Sequence, residues 1–291
     1  MRSYTDLLQL YQDLTNNTDA SNQTLGVTMM NNGVRDILGN RIAWKFLEES
    51  VAITTVSSQA DYQLPYDYGK TIALESSDGG VFNALKQIKD RDSWNTLNDT
   101  SLESDYIRNY YLNSRTVSFY PVPATSSNTI NLTYTKRVRD ISNADYTTGT
   151  VSITNDTATV TGSGTTFTAA MVGRFIKVNA DGFWYKITAF TSTTVITIED
   201  TYQGTTVSGG AFTIGEMTLL PEEQDIAPVF YAAWIYYSTV NTDTVKAGIF
   251  KEMYLEHKQG LKDNNMNSSY DLGSDGEVDI VNPNDFPSNL T

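Results

Sequence analysis

Few residues in this chain could do catalytic chemistry. The 291 residues include no cysteine and one histidine, His257, which excludes a thiolate nucleophile, a cysteine zinc site and a multi-histidine metal site. A Ser-His-Asp triad would have to use His257, but the chain has no Gly-x-Ser-x-Gly turn to present a serine. We therefore expect His257 to be a solvated residue on a helix surface, and we assign no catalytic residue.

Two other segments have a partial likeness to ligand sites. Residues 271–279 place acids at alternating positions as a calcium loop does, but the third position is Gly273 and the twelfth is Asn282 instead of a bidentate glutamate. The glycines around Gly162 and Gly164 lack the lysine and the helix of a phosphate-binding loop. We expect no metal and no cofactor, and we expect residues 271–279 to be a solvated acidic tail.

Three consecutive aromatic residues, Phe183, Trp184 and Tyr185, could stack on a sugar or a base. The alternation of inward and outward side chains in a β-domain explains them equally well. We keep them as a candidate surface contact.

Basic residues form two groups, Lys136, Arg137 and Arg139 in one and Lys86, Lys89 and Arg91 in the other. On an acidic protein, a small basic patch favours contact with an acidic partner over nucleic acid. An ordinary mixed surface is an equally good explanation.

The composition is that of a folded protein with an acidic surface. Hydrophobic residues make up 40% and charged residues 19%, and 34 acids against 20 bases give a formal charge of -14. The acid excess argues against a broad DNA-binding face. There is no secretory signal over residues 1–8 and no run of about 18 apolar residues, so we expect no membrane span and synthesis in the cytoplasm.

The first fifty residues have a helical pattern. Ser3 followed by Asp6 can cap a helix through Leu14, the Asn/Thr-rich segment 15–23 is typical of a loop, and a second helix is predicted from Thr24 to Leu38. Gly39 and Asn40 should break that helix before a short helical continuation to residue 47.

Residues 51–140 favour strands. β-branched and alternating runs predict strands over 51–56, 60–65, 71–74, 84–88 and 129–134, and a hairpin of 106–112 with 116–120 across residues 113–115.

Residues 145–216 are rich in threonine, glycine and valine and nearly free of charge. Short runs at 150–153, 158–160, 175–178, 184–187 and 195–198, separated by turn residues, predict a small all-β barrel or sandwich inserted between helical segments.

The remaining residues predict two helices and a tail. The first helix should begin with Pro221 in its first turn and be buried on several sides, and the second should run from Thr244 to Lys262. Residues 264–291 have no basic residue and should be an extended arm. The predicted fold class is α+β: a helical bundle with a small antiparallel β-sheet over 1–144 and 217–263, the inserted β-domain over 145–216, and the arm over 264–291.

The order of these blocks resembles that of the head-to-tail connector proteins of tailed bacteriophages, also called adaptors or head-completion proteins. The resemblance covers roughly 1–140 and 217–263 and rests on Tyr62-Gln63-Leu64-Pro65, the strand 116–120 followed by Pro121-Val122-Pro123, the strand 130–134, and closing helices introduced by Leu219-Leu220-Pro221. Adaptors of minimal size lack the 145–216 segment, which leaves its role open.

The resemblance implies a non-catalytic virion protein of the phage neck that is made in the host cytoplasm. Twelve copies would form a ring between the portal protein and a tail or nozzle protein, and double-stranded DNA would pass through without specific binding. The C-terminal arm of the family commonly docks on the portal, which here points to contacts by Tyr270, Asp271, Leu272, Val278, Ile280, Val281 and Phe286. Net acidity would keep DNA from adhering to the lumen.

Two alternatives remain open at this stage. One is a tail or baseplate protein that binds host glycans through the β-domain. The other is a hydrolase acting on cell-wall or capsule sugar through an Asp/Glu pair.

Overall fold

The computed structural model describes residues 1–39, 44–78, 81–98, 102–126 and 128–266. Its helices and strands form an α+β protein in which three β-sheets accompany a helical layer. The helices are α1 (Tyr4–Thr15), α2 (Ala20–Leu38), α3 (Arg91–Asn98), α4 (Ala227–Thr239) and α5 (Thr244–Met266). The strands are β1 (Glu48–Thr54), β2 (Asp61–Gln63), β3 (Tyr68–Asp78), β4 (Val81–Ala84), β5 (Lys86–Gln87), β6 (Asn109–Asn113), β7 (Thr116–Tyr120), β8 (Thr129–Lys136), β9 (Thr150–Ile153), β10 (Thr159–Ser163), β11 (Phe175–Val178), β12 (Trp184–Ser192), β13 (Val195–Ile198), β14 (Val207–Gly210) and β15 (Phe212–Gly215).

The start of α1 confirms the predicted cap. The Ser3 hydroxyl accepts the amide of Asp6, and the Asp6 carboxylate accepts the amide of Ser3. This reciprocal pair satisfies two of the amides that a helix leaves without partners at its first turn.

The loop predicted over 15–23 is wrong in its length, because α2 already begins at Ala20. The buried amide group of Asn22 explains the difference: its oxygen accepts from the Tyr11 hydroxyl at 2.8 Å and its nitrogen donates to the Asn17 carbonyl at 2.7 Å. These bonds convert a polar segment that is typical of a loop into an ordered helix start. One helical turn later, α2 passes so close to α1 that a Cβ on Gly26 would lie 2.3 Å from the Tyr11 ring.

Helix α4 lies at the centre of the helical layer and contacts α1, α2 and α5. Its predicted burial on several sides is confirmed, since residues on every face are buried: Ala227, Pro228, Val229, Phe230, Ala232, Ala233, Tyr236 and Tyr237. The predicted start at Pro221 is wrong. Residues 222–226 form turns, and Pro228 is the proline in the first turn of the helix.

Helix α5 continues to Met266, past the predicted end at Lys262. Residues 264–266, predicted as the first part of an extended arm, are therefore helical. The Asn265 side chain accepts the amide of Lys45 at 3.0 Å, which attaches the end of α5 to the segment before β1. The predicted helical continuation to residue 47 is a single 3₁₀ turn at Lys45–Leu47, and strand β1 starts three residues earlier than predicted.

The strands outside 145–216 form two four-stranded sheets instead of the single small sheet that was predicted. Their orders are β1-β8-β3-β4 and β2-β7-β6-β5, and β5 runs parallel to β6, so the second sheet is not wholly antiparallel. The predicted strand 84–88 is divided between the sheets, because Leu85 donates to Leu74 of the first sheet while Lys86 donates to Arg108 beside the second. The predicted hairpin begins only at Asn109 and turns at Ser114 and Arg115. Side chains of both sheets share one buried cluster.

Strands β9 to β15 form a third sheet, here called the β-module, with the order β14-β9-β10-β13-β12-β11-β15. All its pairings are antiparallel, and the sheet curls around a core drawn from residues 151–214. The prediction was a small all-β barrel or sandwich, and the sheet is a half-barrel, because no pairing joins its fully described edge strands β14 and β15. The predicted domain boundaries at 145 and 216 remain a prediction.

Candidate interaction surfaces

A cleft of about 410 Å³ lies where the β-module meets the rest of the protein, and we call it the junction cleft. Its walls come from β1 and β8, from the connection 137–141, from β11 and β12, and from the segment 216–221 that leads out of the β-module. Ten of its lining side chains are charged: Glu49, Asp67, Lys136, Arg137, Arg139, Asp140, Arg174, Lys186, Glu199 and Glu216.

A chain of ion pairs crosses the junction cleft. Lys136 of β8 contacts Glu49 of β1 at 3.0 Å, and Lys186 of the β-module reaches both Glu49 at 3.7 Å and Glu199 at 2.8 Å. Burial alone would raise the pKa of Glu49, but the hydrogen bonds and charges of Lys136 and Lys186 outweigh it and lower that pKa. Burial likewise opposes the charge of Lys186, yet Glu199 and Glu49 raise its pKa. Each group thus favours the charged form of the other, and the pairs link the β-module to the first sheet.

Glu216 is the most connected carboxylate of the junction. It is 8% exposed and accepts the amides of Ser142 and Asn143, both at 2.8 Å, while its second oxygen lies 3.6 Å from the Arg174 guanidinium. Because it ties the chain that enters the β-module to the chain that leaves it, Glu216 fixes both connections together.

Asp145 forms a second link, between the entering connection and α1. It accepts the Ser3 hydroxyl at 2.7 Å, and its backbone amide donates to the Thr5 hydroxyl at 3.0 Å. Burial raises the pKa of Asp145, against the lowering effect of the Ser3 and Thr5 hydrogen bonds. A second buried acid, Asp225, accepts the backbone amide of Arg2 at 2.8 Å.

Sequence reasoning missed these three acids. The signal for Glu216 was present, because it is a lone carboxylate in an otherwise uncharged run from Ala211 to Leu220, and a charge in such surroundings needs a specific partner. Asp145 and Asp225 have no comparable signal, since polar residues surround the first and further acids accompany the second.

The structure divides the two predicted basic groups. Lys136 is used in an ion pair, whereas Arg137 and Arg139 are exposed and have no carboxylate within ion-pair distance among the described residues. Lys86, Lys89 and Arg91 do not join them, because they follow β4 and lie beside the second sheet. Within the described part of the chain, Arg137 and Arg139 are therefore the unpaired cations at the junction cleft.

The predicted aromatic surface is not one continuous platform. Phe183 is 71% exposed, but the Trp184 ring is partly covered by the Lys177 ammonium at 4.7 Å. Tyr185 packs on Tyr202 in the β-module core and donates its hydroxyl to Asp181 at 2.7 Å, which with burial raises its pKa to about 12. Phe183 precedes β12, and along β12 Trp184 points to the face opposite Tyr185, so Phe183 is the one exposed ring of the three.

Helix α5 carries the remaining predicted residue of chemical interest. His257 is half-buried against the Phe230 ring at 5.3 Å, so the prediction of a solvated histidine is wrong. Helix α5 also exposes Val245, Ile249 and Met253 at successive helical turns.

The residues predicted to contact a portal lie outside the described ranges, and so does the calcium-like segment 271–282. Within the described ranges, no group of three or more histidine, cysteine or acidic side chains could hold a metal ion. None of the helices described is both long enough and apolar enough to cross a membrane.

Comparison with known proteins gives one family. The sequence model of the family described as SU10 adaptor protein matches residues 2–163, more than half of the chain, from the cap of α1 to the end of β10. No curated protein matches the chain. The chain belongs to the SU10 adaptor protein family of phage head–tail adaptors and is a structural protein of the bacteriophage virion.

Proposed function

We propose that this protein forms a ring beneath the portal that joins the capsid to the tail and lets DNA pass during packaging and ejection. The family match over residues 2–163 is the observation that carries this proposal. Adaptor proteins of this family are structural and generally non-enzymatic, and Glu216, Asp145 and Asp225 accept hydrogen bonds that link separate segments of the chain, which fits a structural role. By family resemblance the ring has twelve copies.

The helical layer is the part suited to support such a ring. Helix α4 is covered by α1, α2 and α5 and contributes side chains to two buried apolar clusters. A layer packed in this way keeps its shape when neighbouring subunits bind it.

In the proposed ring, the C-terminal residues dock on the portal. Tyr270, Leu272, Val278, Ile280, Val281 and Phe286 supply apolar groups in an otherwise polar segment. A segment that orders on binding loses conformational entropy but can cover a large partner surface.

The net charge of -14 supports free passage of DNA. A lumen of the same sign as the phosphate backbone repels it, so that a translocating duplex does not adhere. A basic lumen in the assembled ring would contradict this part of the proposal.

Particle mass tests the proposal directly. The purified full-length chain, alone and mixed with its portal, is measured by light scattering and negative-stain microscopy. We expect a ring that forms on the portal, and we expect Ile280→Asp with Val281→Asp to abolish it. Ser274→Asp with Asn284→Asp adds the same charge at polar positions and should leave ring formation intact.

Glycan binding by the β-module is the second candidate function, favoured by the 71% exposure of Phe183 beside Trp184. A stable trimer that ignores the portal, with sugar affinity lost in Trp184→Ala, would support it. The half-covered Trp184 and the inward Tyr185 weigh against an aromatic sugar platform.

A further inference from the structure

The junction cleft has two cations that no carboxylate among the described residues pairs with. Seven of its ten charged side chains are in ion pairs, and an eighth, Asp67, accepts the Tyr134 hydroxyl at 2.9 Å. Arg137 and Arg139 are the two left over. Exposed guanidinium groups without a carboxylate are an unusual feature to concentrate at one cleft of a protein with a formal charge of -14.

The cleft also has room for a peptide and an apolar wall to receive it. A second cavity of about 370 Å³ shares Tyr66, Asp67, Arg137 and Arg139 with the first. Phe46 and Leu219 are half-buried at the lining and offer apolar surface. Such a site fits an acidic segment that also carries large apolar side chains.

The chain supplies a segment with that composition. Residues 267–291 contain five acids and no base, and the acids Asp271, Asp275, Glu277 and Asp279 are interspersed with Leu272 and Val278. The segment thus combines several acids with a complete lack of basic residues.

The described end of α5, from which this segment continues, is attached beside a residue that lines the cleft. Asn265 accepts the amide of Lys45 at 3.0 Å, and the next residue, Phe46, lines the cleft. From Met266, five residues reach up to about 17 Å, so Asp271 would approach the cleft from the Phe46 side. Because the segment is covalently attached beside its site, its effective concentration there is on the order of millimolar, and a few contacts suffice to hold it.

We propose that residues 267–281 occupy the junction cleft of the same chain before assembly, with their carboxylates on Arg137 and Arg139. The segment is then withheld from other partners until something competes for it. This inference goes beyond ring formation and portal docking, and it holds for the protein on its own.

Distances between two spin labels test this proposal on the full-length chain. The chain has no cysteine, so Ser274→Cys on the segment and Thr168→Cys, an exposed residue beside the second cavity, can be labelled alone. We expect a short, narrow distance distribution that is lost at about 1 M salt, where the Debye length falls to about 3 Å. The short, narrow distance distribution should also be lost in the double variant Arg137→Ala, Arg139→Ala.

The control is Arg91→Ala with Arg108→Ala, which removes the same charge from exposed positions beside the second sheet. It should keep the narrow distribution. A broad distribution in the unmodified chain, or equal behaviour of the two double variants, would overturn the proposal. Dilution with unlabelled protein distinguishes the segment of the same chain from that of another copy. A short distance that disappears on dilution belongs to another copy and would also overturn the proposal. Portal binding is measured separately, so this outcome and failure of the proposed ring are distinguishable.

Discussion

The β-module and the helical layer are held in the molecule by different kinds of contact. In the helical layer, two apolar clusters merge through side chains that pack against both, including Leu14, Trp234 and Phe250. The β-module keeps its apolar cluster to itself, and no residue of that cluster belongs to any other. What joins it to its surroundings is largely polar: Glu216, Asp145 and the ion pairs of Lys186.

This difference has a mechanical consequence. Apolar packing is non-directional and distributed over many atoms, so a helical layer built on it resists the loss of any one contact. Hydrogen bonds and ion pairs are few and directional. The β-module should therefore be releasable by single polar substitutions that leave its own core and the helices folded.

The largest expected effect comes from matched core substitutions on the two sides of the junction. Ile187 of the β-module and Ile130 of the first sheet are both fully buried, and truncation of such a residue to alanine costs about 2–5 kcal/mol. We expect two calorimetric transitions, one for the β-module and one for the remainder. Ile187→Ala should lower the midpoint temperature of the first, and Ile130→Ala should lower that of the second. If both variants lower the same single transition equally, the β-module and the remainder unfold as one unit and the comparison fails.

The next effect should come from Glu216→Gln. The amide side chain keeps one acceptor but loses the charge that Ser142, Asn143 and Arg174 share, and a buried hydrogen bond to a charged group contributes about 1.5–3 kcal/mol. We expect faster hydrogen exchange at the Ser142 and Asn143 amides with little change in the β-module core. Glu252→Gln, at an exposed position on α5, is the control and should change neither. Unchanged exchange at both amides would show that the connection does not depend on Glu216.

The sequence predicted the β-module far better than its attachment. Three of its strands, at 150–153, 175–178 and 195–198, have the predicted bounds, because alternation on a half-buried strand is a local property. Whether the strands form a barrel, a sandwich or a curled single sheet was not predictable, since these have the same alternation along each strand.

The candidate site was predicted only in part, for a physical reason. Arg137 and Arg139 were recognised as a basic group, but their lack of partners depends on Lys136 reaching Glu49, a residue 87 positions earlier in the chain. The early start of α2 likewise depends on Asn22 meeting Tyr11 across two helices. Long-range polar pairing of this kind leaves no periodic trace in a single sequence.

A smaller effect is expected at Lys186, where replacement by methionine keeps the length of the side chain and removes the charge. Partly exposed ion pairs contribute about 1 kcal/mol or less to stability. The difference between the midpoint temperatures of the two calorimetric transitions, that of the β-module and that of the remainder, should therefore widen slightly. Because the pKa of Glu49 is lowered in the folded protein, this contribution is present above the ordinary glutamate pKa and is lost as the pH falls through the lowered value. The pKa of Lys186 is raised in the folded protein, so the stability that its ion pairs contribute is present below the ordinary lysine pKa and is lost as the pH rises through the raised value.

Salt dependence provides the check on Lys186. In the unmodified chain, added salt should weaken the attachment of the β-module, and in Lys186→Met it should change little. Lys89→Met removes an exposed lysine that has no ion pair among the described residues and should leave the salt dependence as it was. Equal salt dependence in all three proteins would show that the ion pairs of Lys186 do not contribute to the attachment of the β-module.

The smallest effect should be a change in pH dependence at Asp145. Its pKa is raised by burial, so its stabilising contribution is fully present below the ordinary aspartate pKa and is lost as the pH rises through the raised value. Asp145→Asn should flatten that part of the stability curve, while the exposed Asp200→Asn should not. The measurement is the denaturant midpoint as a function of pH, followed by fluorescence. If Asp145→Asn leaves the curve unchanged, the link between Ser3 and the entering connection adds no pH dependence, and the attachment of the β-module depends on Glu216 and the lysine pairs alone.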